Sequence, residues 1–154
     1  MKATAAKLCC ILGISFVAGN VDANPNAMTI SGASFDDWTS EQCVSRWNGG
    51  ISNSCSGDTN FIYGIPKGPS RSGYRVTFAG HNNSTSVGAS YAVFSYSSTG
   101  EFLGYQQGSV SGVTDWTGSV SFSATQAPAS GRLTAFVGLP GNYQGSLYGI
   151  TVAY

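Results

Sequence analysis

From residue 74 to the C-terminus, hydrophobic and polar residues alternate in short stretches that are separated by turn residues. Alternation with a period of two is typical of half-buried β-strands. One stretch, 87–96, has apolar residues on both faces for part of its length. Short strands at such regular spacing indicate a sandwich or a barrel. The predicted strands cover 74–79, 87–96, 101–106, 118–124, 133–137 and 147–154.

The segment 24–71 is less regular and is rich in Gly, Ser and Asn. We predict one strand there, at 61–65, before an extended Pro- and Gly-containing loop. A helix of one or two turns is a further possibility over 36–46, because Ser34 is a suitable N-cap and acidic residues would follow in the first turn. No repeat, domain boundary or long helix is evident, so the segment is expected to belong to the same domain.

The first 23 residues have the parts of a secretory signal peptide. Lys2 and Lys7 precede a short apolar run at 8–19, and Val21-Asp22-Ala23 offers small residues at a cleavage site. The run is shorter than the about 20 residues that span a bilayer. The alternative, a buried N-terminal helix, lacks any helical partner later in the chain. We therefore predict a signal peptide at 1–23, one β-sandwich domain at 24–154, and a secreted protein, extracellular or periplasmic, without a membrane span.

Cleavage there would remove Cys9 and Cys10 and leave Cys43 and Cys55. Two cysteines in an oxidising compartment are expected to form a disulfide. The bond would close a short loop and stabilise the fold by roughly 2–3 kcal/mol. Metal binding is the weaker alternative, because two cysteines without neighbouring histidines make a poor zinc site.

The remaining chain carries few charges, with five basic and six acidic residues after position 23. A nucleic-acid-binding protein would show a basic stripe, and a membrane-surface protein would show a polybasic patch. Neither pattern is present, so no nucleic acid is expected as a partner. Most of the polarity comes from uncharged side chains. A ligand is therefore expected to be met by neutral hydrogen bonds and aromatic rings.

Four segments resemble the jelly-roll carbohydrate-binding modules of the galactose-binding-like type. They are SGYRVTFAG at 72–80, YAVFSYSSTGEFLG at 91–104, the stretch 113–139 with its Trp, alternating strand and Pro-Ala turn, and GSLYGITVAY at 145–154. The resemblance implies an all-β antiparallel sandwich with jelly-roll topology, and a sugar-binding role. Many such modules carry acidic residues in the last strand beside a structural calcium. Gly149 stands at that place here, so no metal or cofactor is expected.

Catalysis is not expected. His81 is the only histidine, no GxSxG motif is present, and His81 lies in a stretch, 81–84, that is predicted as a polar turn exposed to solvent. Paired carboxylates are needed for glycoside hydrolysis. Asp36 and Asp37 are adjacent, but in a strand they would point to opposite faces. Overlapping glycosylation sequons begin at Asn82 and Asn83, and they matter in a eukaryotic host.

Aromatic residues in polar loops are the best candidates for a binding site, because flat rings with a polar edge suit sugars. We expect Tyr143 and Trp47 to contact the ligand, with hydrogen bonds from the residues beside Tyr143. Asp115 and Trp116 form an acid-and-ring pair that would suit a sugar, but a core position of Trp116 behind a turn is favoured, since Trp is highly buried on average. The predicted ligand-binding residues are Tyr143, Trp47, Trp116, Asn142, Gln144 and Asp115.

The leading hypothesis is a secreted, non-catalytic, lectin-like module that binds a glycan or polysaccharide. The alternative is a structural or adhesive extracellular protein that self-assembles or binds a protein partner. Exposed aromatic rings on one face would favour sugar binding. An unprotected edge strand would favour assembly, and a large apolar patch would favour a protein partner.

Overall fold

The computed structural model describes residues 26–37, 43–67 and 72–154. The predicted signal peptide lies outside these residues. The described chain contains one 3₁₀ turn, Gly32–Ser34, and eleven strands. The strands are β1 Ala27–Ser31, β2 Asp36–Asp37, β3 Val44–Trp47, β4 Gly50–Asn53, β5 Thr59–Ile65, β6 Tyr74–Asn82, β7 Ala89–Tyr96, β8 Phe102–Val110, β9 Thr114–Phe122, β10 Arg132–Leu139 and β11 Gly145–Ala153.

The strands form two antiparallel sheets that pack face to face. The six-stranded sheet has the order β3-β4-β11-β6-β9, with β1 also pairing with β11, and the five-stranded sheet has the order β2-β5-β10-β7-β8. The strands β4-β11-β6-β9 therefore lie opposite the strands β5-β10-β7-β8. This is the jelly-roll arrangement. The predicted antiparallel β-sandwich is confirmed.

The core lies between the sheets and follows from the alternation in the sequence. In β6, Tyr74, Val76 and Phe78 are buried, whereas Arg75 between them is exposed. β10 buries Leu133 and its alternate neighbours in the same way. Because the period of two matches the pleat, each strand contributes one apolar face to the core. Within the described ranges, no helix is long and apolar enough to cross a bilayer.

The N-terminal segment is more regular than its sequence indicates, since it supplies β1 to β4 as well as β5. The predicted helix over 36–46 is wrong in its described parts: Asp36–Asp37 pairs with β5, and Val44–Trp47 pairs with β4. Ser34 ends a 3₁₀ turn rather than starting a helix. The fully buried ring of Phe35, which contacts Tyr63, holds this segment extended across the core.

Two predicted boundaries are also wrong. β6 continues through His81 and Asn82, which the sequence assigns to a turn, and β9 begins at Thr114 rather than at Gly118. The reason is the ladder between these strands, in which His81 lies opposite Asp115 and Asn82 opposite Thr114. Polar side chains are compatible with a strand when a partner strand satisfies its backbone groups.

The predicted disulfide is confirmed between Cys43 and Cys55, with an S–S distance of 2.03 Å. It joins the residue before β3 to the turn after β4. The bond therefore links the two ends of the β3–β4 hairpin, at the edge of the six-stranded sheet.

Candidate functional site

The loop between β10 and β11 presents Tyr143 to solvent. Asn142 and Tyr143 have φ angles of 55° and 59°, which are uncommon for residues other than glycine. Their backbone N–H groups donate to the carbonyls of Cys55 at 2.6 Å and Asn53 at 2.8 Å. The loop is thus tied to the turn after β4, and the Tyr143 side chain remains 62% exposed.

A buried amide holds this loop region together. The Asn53 side chain donates to the carbonyls of Gly57 at 2.9 Å and Leu139 at 2.8 Å, and it accepts from the N–H of Cys55 at 2.9 Å. Asn53 is completely buried. One side chain therefore joins the ends of β4 and β10 to the turn beneath Tyr143.

Asp115, His81 and Asn83 form a hydrogen-bonded row on the outer face of the six-stranded sheet. His81 Nδ1 is 2.6 Å from Asp115 Oδ1, and His81 Nε2 is 2.7 Å from Asn83 Oδ1. Both ring nitrogens face oxygen acceptors, so the protonated imidazole satisfies both contacts. The hydrogen bonds to Asn83 and to Asp115 raise the pKa of His81, and the bond to His81 lowers the pKa of Asp115.

This row continues into the loop and to a further aromatic residue. The N–H of Asn83 donates to the carbonyl of Gln144 at 2.6 Å, and the hydroxyl of Tyr148 lies 3.3 Å from Asp115 Oδ1. The fold therefore brings Asn142, Tyr143, Gln144 and Asp115 to one connected surface, together with residues that the sequence analysis missed. We call it the loop-edge site; its residues are Asp115, His81, Asn83, Tyr148 and Asn142 to Gln144.

Trp47 lies at the end of β3 with an exposed indole above Gly50. A side chain at Gly50 would collide with the carbonyl of Leu147 and crowd that ring, so glycine permits the close approach. Ile51 lies opposite Leu147, so the preceding Gly50 is near Tyr148 in the same antiparallel register. Trp47 therefore flanks the outer face that carries the loop-edge site.

Trp116 lies in the core, which the sequence analysis gave as its alternative position. It is 5% exposed and stacks on Tyr91, with ring centroids 6.1 Å apart and planes at 9°. Its ring covers Gly80, where a Cβ atom would lie 2.6 Å from the indole. A ring buried in this way cannot stack on an external sugar. Asp115, its neighbour, points outward because successive strand residues alternate.

A second surface, which the sequence analysis missed, covers the outer face of the five-stranded sheet. Phe94 on β7 stacks on Tyr105 of β8, with centroids 5.4 Å apart and planes at 17°. It also meets Phe136 of β10 edge-on at 4.9 Å. Phe102 on β8 contacts Tyr96 on β7 at 6.0 Å. We call Phe94, Tyr96, Phe102, Tyr105 and Phe136 the aromatic face.

Two grooves run beside Phe136 on this face. The first is lined by polar side chains as well as by rings, and no charged residue contributes to it; its members include Asn60, Ser90, Gln107, Phe94, Phe136 and Gly138. The second adjoins it and includes Ile62, Tyr96, Arg132, Thr134 and Phe136. Each groove therefore combines aromatic walls with hydrogen-bonding groups.

A signal for the aromatic face was present in the sequence. The stretch 87–96 has apolar residues on both faces, and a strand in a half-exposed sheet needs only one. In β10, Phe136 is likewise an apolar residue on the face opposite to that of Ala135 and Val137. What the sequence could not supply is the order β10-β7-β8, which places the rings of three strands side by side.

No group of three or more His, Cys, Asp and Glu side chains in the described ranges is arranged to hold a metal ion.

No family model matches this chain, and no curated protein sequence matches it. Among solved structures, a family 35 carbohydrate-binding module from Clostridium thermocellum is similar with a TM-score of 0.52 and 9% identity, over 82% of this chain and 96% of that one. The isomalto-dextranase of Arthrobacter globiformis T6, complexed with panose, is similar with a TM-score of 0.51 and 13% identity; the match covers 82% of this chain and 23% of the enzyme.

These likenesses define the class of fold. The chain has the β-sandwich fold of the family 35 carbohydrate-binding module, as the resemblance in its sequence predicts. At such low identity the similarity concerns the fold alone, because one fold can host many functions.

Proposed function

We propose that this protein is a secreted module that binds a glycan or polysaccharide without catalysis, and that the aromatic face is its binding surface. The observation that carries this proposal is the first groove beside Phe136. Aromatic rings and neutral amide and hydroxyl groups converge there without a charged residue. This is the chemistry that a neutral sugar requires, since its C–H faces stack on rings and its hydroxyls form hydrogen bonds.

The mechanism follows from the positions of the groups on the sheet. Rings on β7, β8 and β10 would stack on the sugar, while Asn60 and Gln107 would exchange hydrogen bonds with its hydroxyls. Strands β7 and β10, which carry Phe94 and Phe136, are paired on both sides. A surface held by a sheet needs little ordering when it binds, which reduces the entropic cost of association.

The loop-edge site remains a second candidate for the same function. Tyr143 is the most exposed of its rings, Asn142 and Gln144 flank it, and Asp115 can accept hydrogen bonds from hydroxyls. Trp47 lies on the same outer face. The two candidate surfaces are on opposite sheets, so mutations in one surface act as controls for the other.

Secretion is proposed from the predicted signal peptide at 1–23. The Cys43–Cys55 disulfide supports it, since such bonds persist in oxidising compartments. The absence of catalysis is proposed because the only histidine, His81, bonds to Asp115 and Asn83 rather than to a nucleophile.

The test is binding to insoluble polysaccharides and to a glycan array, with two double variants. Tyr105→Ala with Gln107→Ala removes a half-exposed ring of the aromatic face and an exposed amide of the first groove. Tyr143→Ala with Trp47→Ala removes the rings of the other surface. We expect the first pair to weaken binding by roughly tenfold or more, because a stacked ring contributes about 0.5–1.5 kcal/mol and a hydrogen bond a similar amount.

Retained binding in the first variant and loss in the second would move the site to the loop-edge surface. Absence of binding by the unmodified protein to every glycan would overturn the proposed function. All the substituted residues are exposed in the folded protein, and circular dichroism would show that each variant keeps the fold.

A further inference from the structure

The strands at the ends of the two sheets differ in how they are protected. Charged residues on an edge strand discourage pairing with another chain. Such residues occur on three of the end strands: Arg46 on β3, Asp115 on β9, and both residues of β2. The fourth, β8, contains neither a charged residue nor a proline over Phe102–Val110. β1, which pairs only with β11, is uncharged as well but has five residues, so the nine-residue β8 is the longer edge strand without this protection.

β8 is also exposed to an unusual extent. Phe102 is 53% exposed and Tyr105 is 50% exposed, and Leu103 between them is exposed as well. Gln106 is also exposed. Its side chain is on the interior side of the sheet, since it lies opposite the buried Val93. Three of the eight large exposed hydrophobic residues in the described chain therefore fall within four consecutive positions.

We propose that two copies of this protein pair antiparallel along β8. A two-fold interface brings β8 against the same strand of the other copy. Because β8 is uncharged, no like charges would meet there, and we therefore expect a second copy as the partner. The second half of β8, from Tyr105 onward, is the expected region of pairing. The first half is distorted by a register shift near Tyr96 and by Gly104, whose φ is 148°.

This pairing would join two five-stranded sheets into one continuous sheet. The aromatic faces of the two copies would then lie side by side, since Tyr105 and Phe102 are carried by the joining strand. Two sites on one polymer would bind with an avidity above that of either site. This consequence rests on the proposed function, whereas the pairing itself is independent of any glycan.

The test is sedimentation velocity of the purified protein over a wide concentration range, without glycan. We expect a reversible dimer. The variant Gln107→Lys, which places a charge on the exposed face of β8, should weaken the dimer by roughly tenfold or more because the two lysines approach each other. Thr117→Lys on β9 is the matched control, because that exposed position is also on an end strand, and it should leave the dimer unchanged.

Hydrogen exchange provides a second readout. Amides of β8 should become more protected as the protein concentration rises, whereas those of β2 should not change. A protein that stays monomeric at every concentration would overturn the proposal, as would a dimer that Gln107→Lys does not weaken. A dimer without glycan binding would leave this proposal standing and remove the proposed function.

Discussion

The carboxylate of Asp115 and the imidazole of His81 lie side by side on adjacent strands, with Oδ1 2.6 Å from Nδ1. They are 34 residues apart in the chain. Since His81 also faces Asn83 Oδ1, the ring is bound on both sides by oxygen atoms. This relationship makes the outer face of the six-stranded sheet sensitive to pH.

The pKa of His81 is expected above its ordinary value near 6.5, because the protonated ring is bonded to Asn83 and Asp115. Its stabilising contribution is fully present below the unfolded pKa and is lost as the pH rises through the higher folded pKa. Asp115 has a lowered pKa, chiefly from its hydrogen bond to His81, so its contribution is lost in acid. The pair should therefore stabilise the fold at pH values between the lowered pKa of Asp115 and the raised pKa of His81.

The measurement is an NMR titration of His81, which is the only histidine of the chain and thus gives an unambiguous signal. We expect a midpoint above 6.5 that falls in Asp115→Asn. A midpoint at or below 6.5 in the unmodified protein would contradict the hydrogen-bonded row.

Replacing Asn53 with alanine should destabilise the protein by about 2–4 kcal/mol. The substitution would leave the buried carbonyl of Leu139 and the buried N–H of Cys55 without their partners, and it would also remove the part-buried bond to Gly57; each buried unsatisfied group is costly. Urea denaturation measures the loss. Asn60→Ala, at an exposed position of β5, is the control and should change stability by less than about 0.5 kcal/mol; equal effects would exclude this role for Asn53.

The Tyr91 ring lies against two strand glycines, and a side chain at either would overlap it. A Cβ atom at Gly118 would lie 2.2 Å from the ring. Gly118→Ala should therefore destabilise the fold by about 1–3 kcal/mol through overpacking. Gly64→Ala is the control in another strand, since nothing lies within 4 Å of its Cβ position. Thermal unfolding of both variants should separate them, and equal melting temperatures would contradict the packing.

Only the second of the two overlapping sequons should accept a glycan in a eukaryotic secretory host. Asn82 is fully buried, and its amide donates to the carbonyls of Ser84, Val87 and Gly112. Asn83 is exposed. Mass spectrometry should find Asn83 modified, and Asn83→Gln should abolish the modification. A glycan on Asn82 would show that the loop opens around that residue.

Several features of the site could be anticipated from single segments. Tyr143 follows Pro140-Gly141-Asn142, and such turn residues favour an exposed loop. Cys43 and Cys55 are the only cysteines after position 23, so their pairing needed no tertiary information. Trp116 could not be assigned in the same way, because neighbouring residues do not reveal which face of a strand meets the core.

From the sequence alone, the period-two alternation predicted an all-β sandwich or barrel, the resemblance to jelly-roll modules favoured the sandwich, and the sparse charges favoured a neutral ligand. Only the tertiary structure decided which strands are neighbours. The row from Asp115 to Asn83, and the contact of Phe94 with Tyr105 and Phe136, depend on the register between strands that are distant in the chain. Alternation gives the face of each side chain, but the partner of a strand is chosen by packing and hydrogen bonding across the whole sheet.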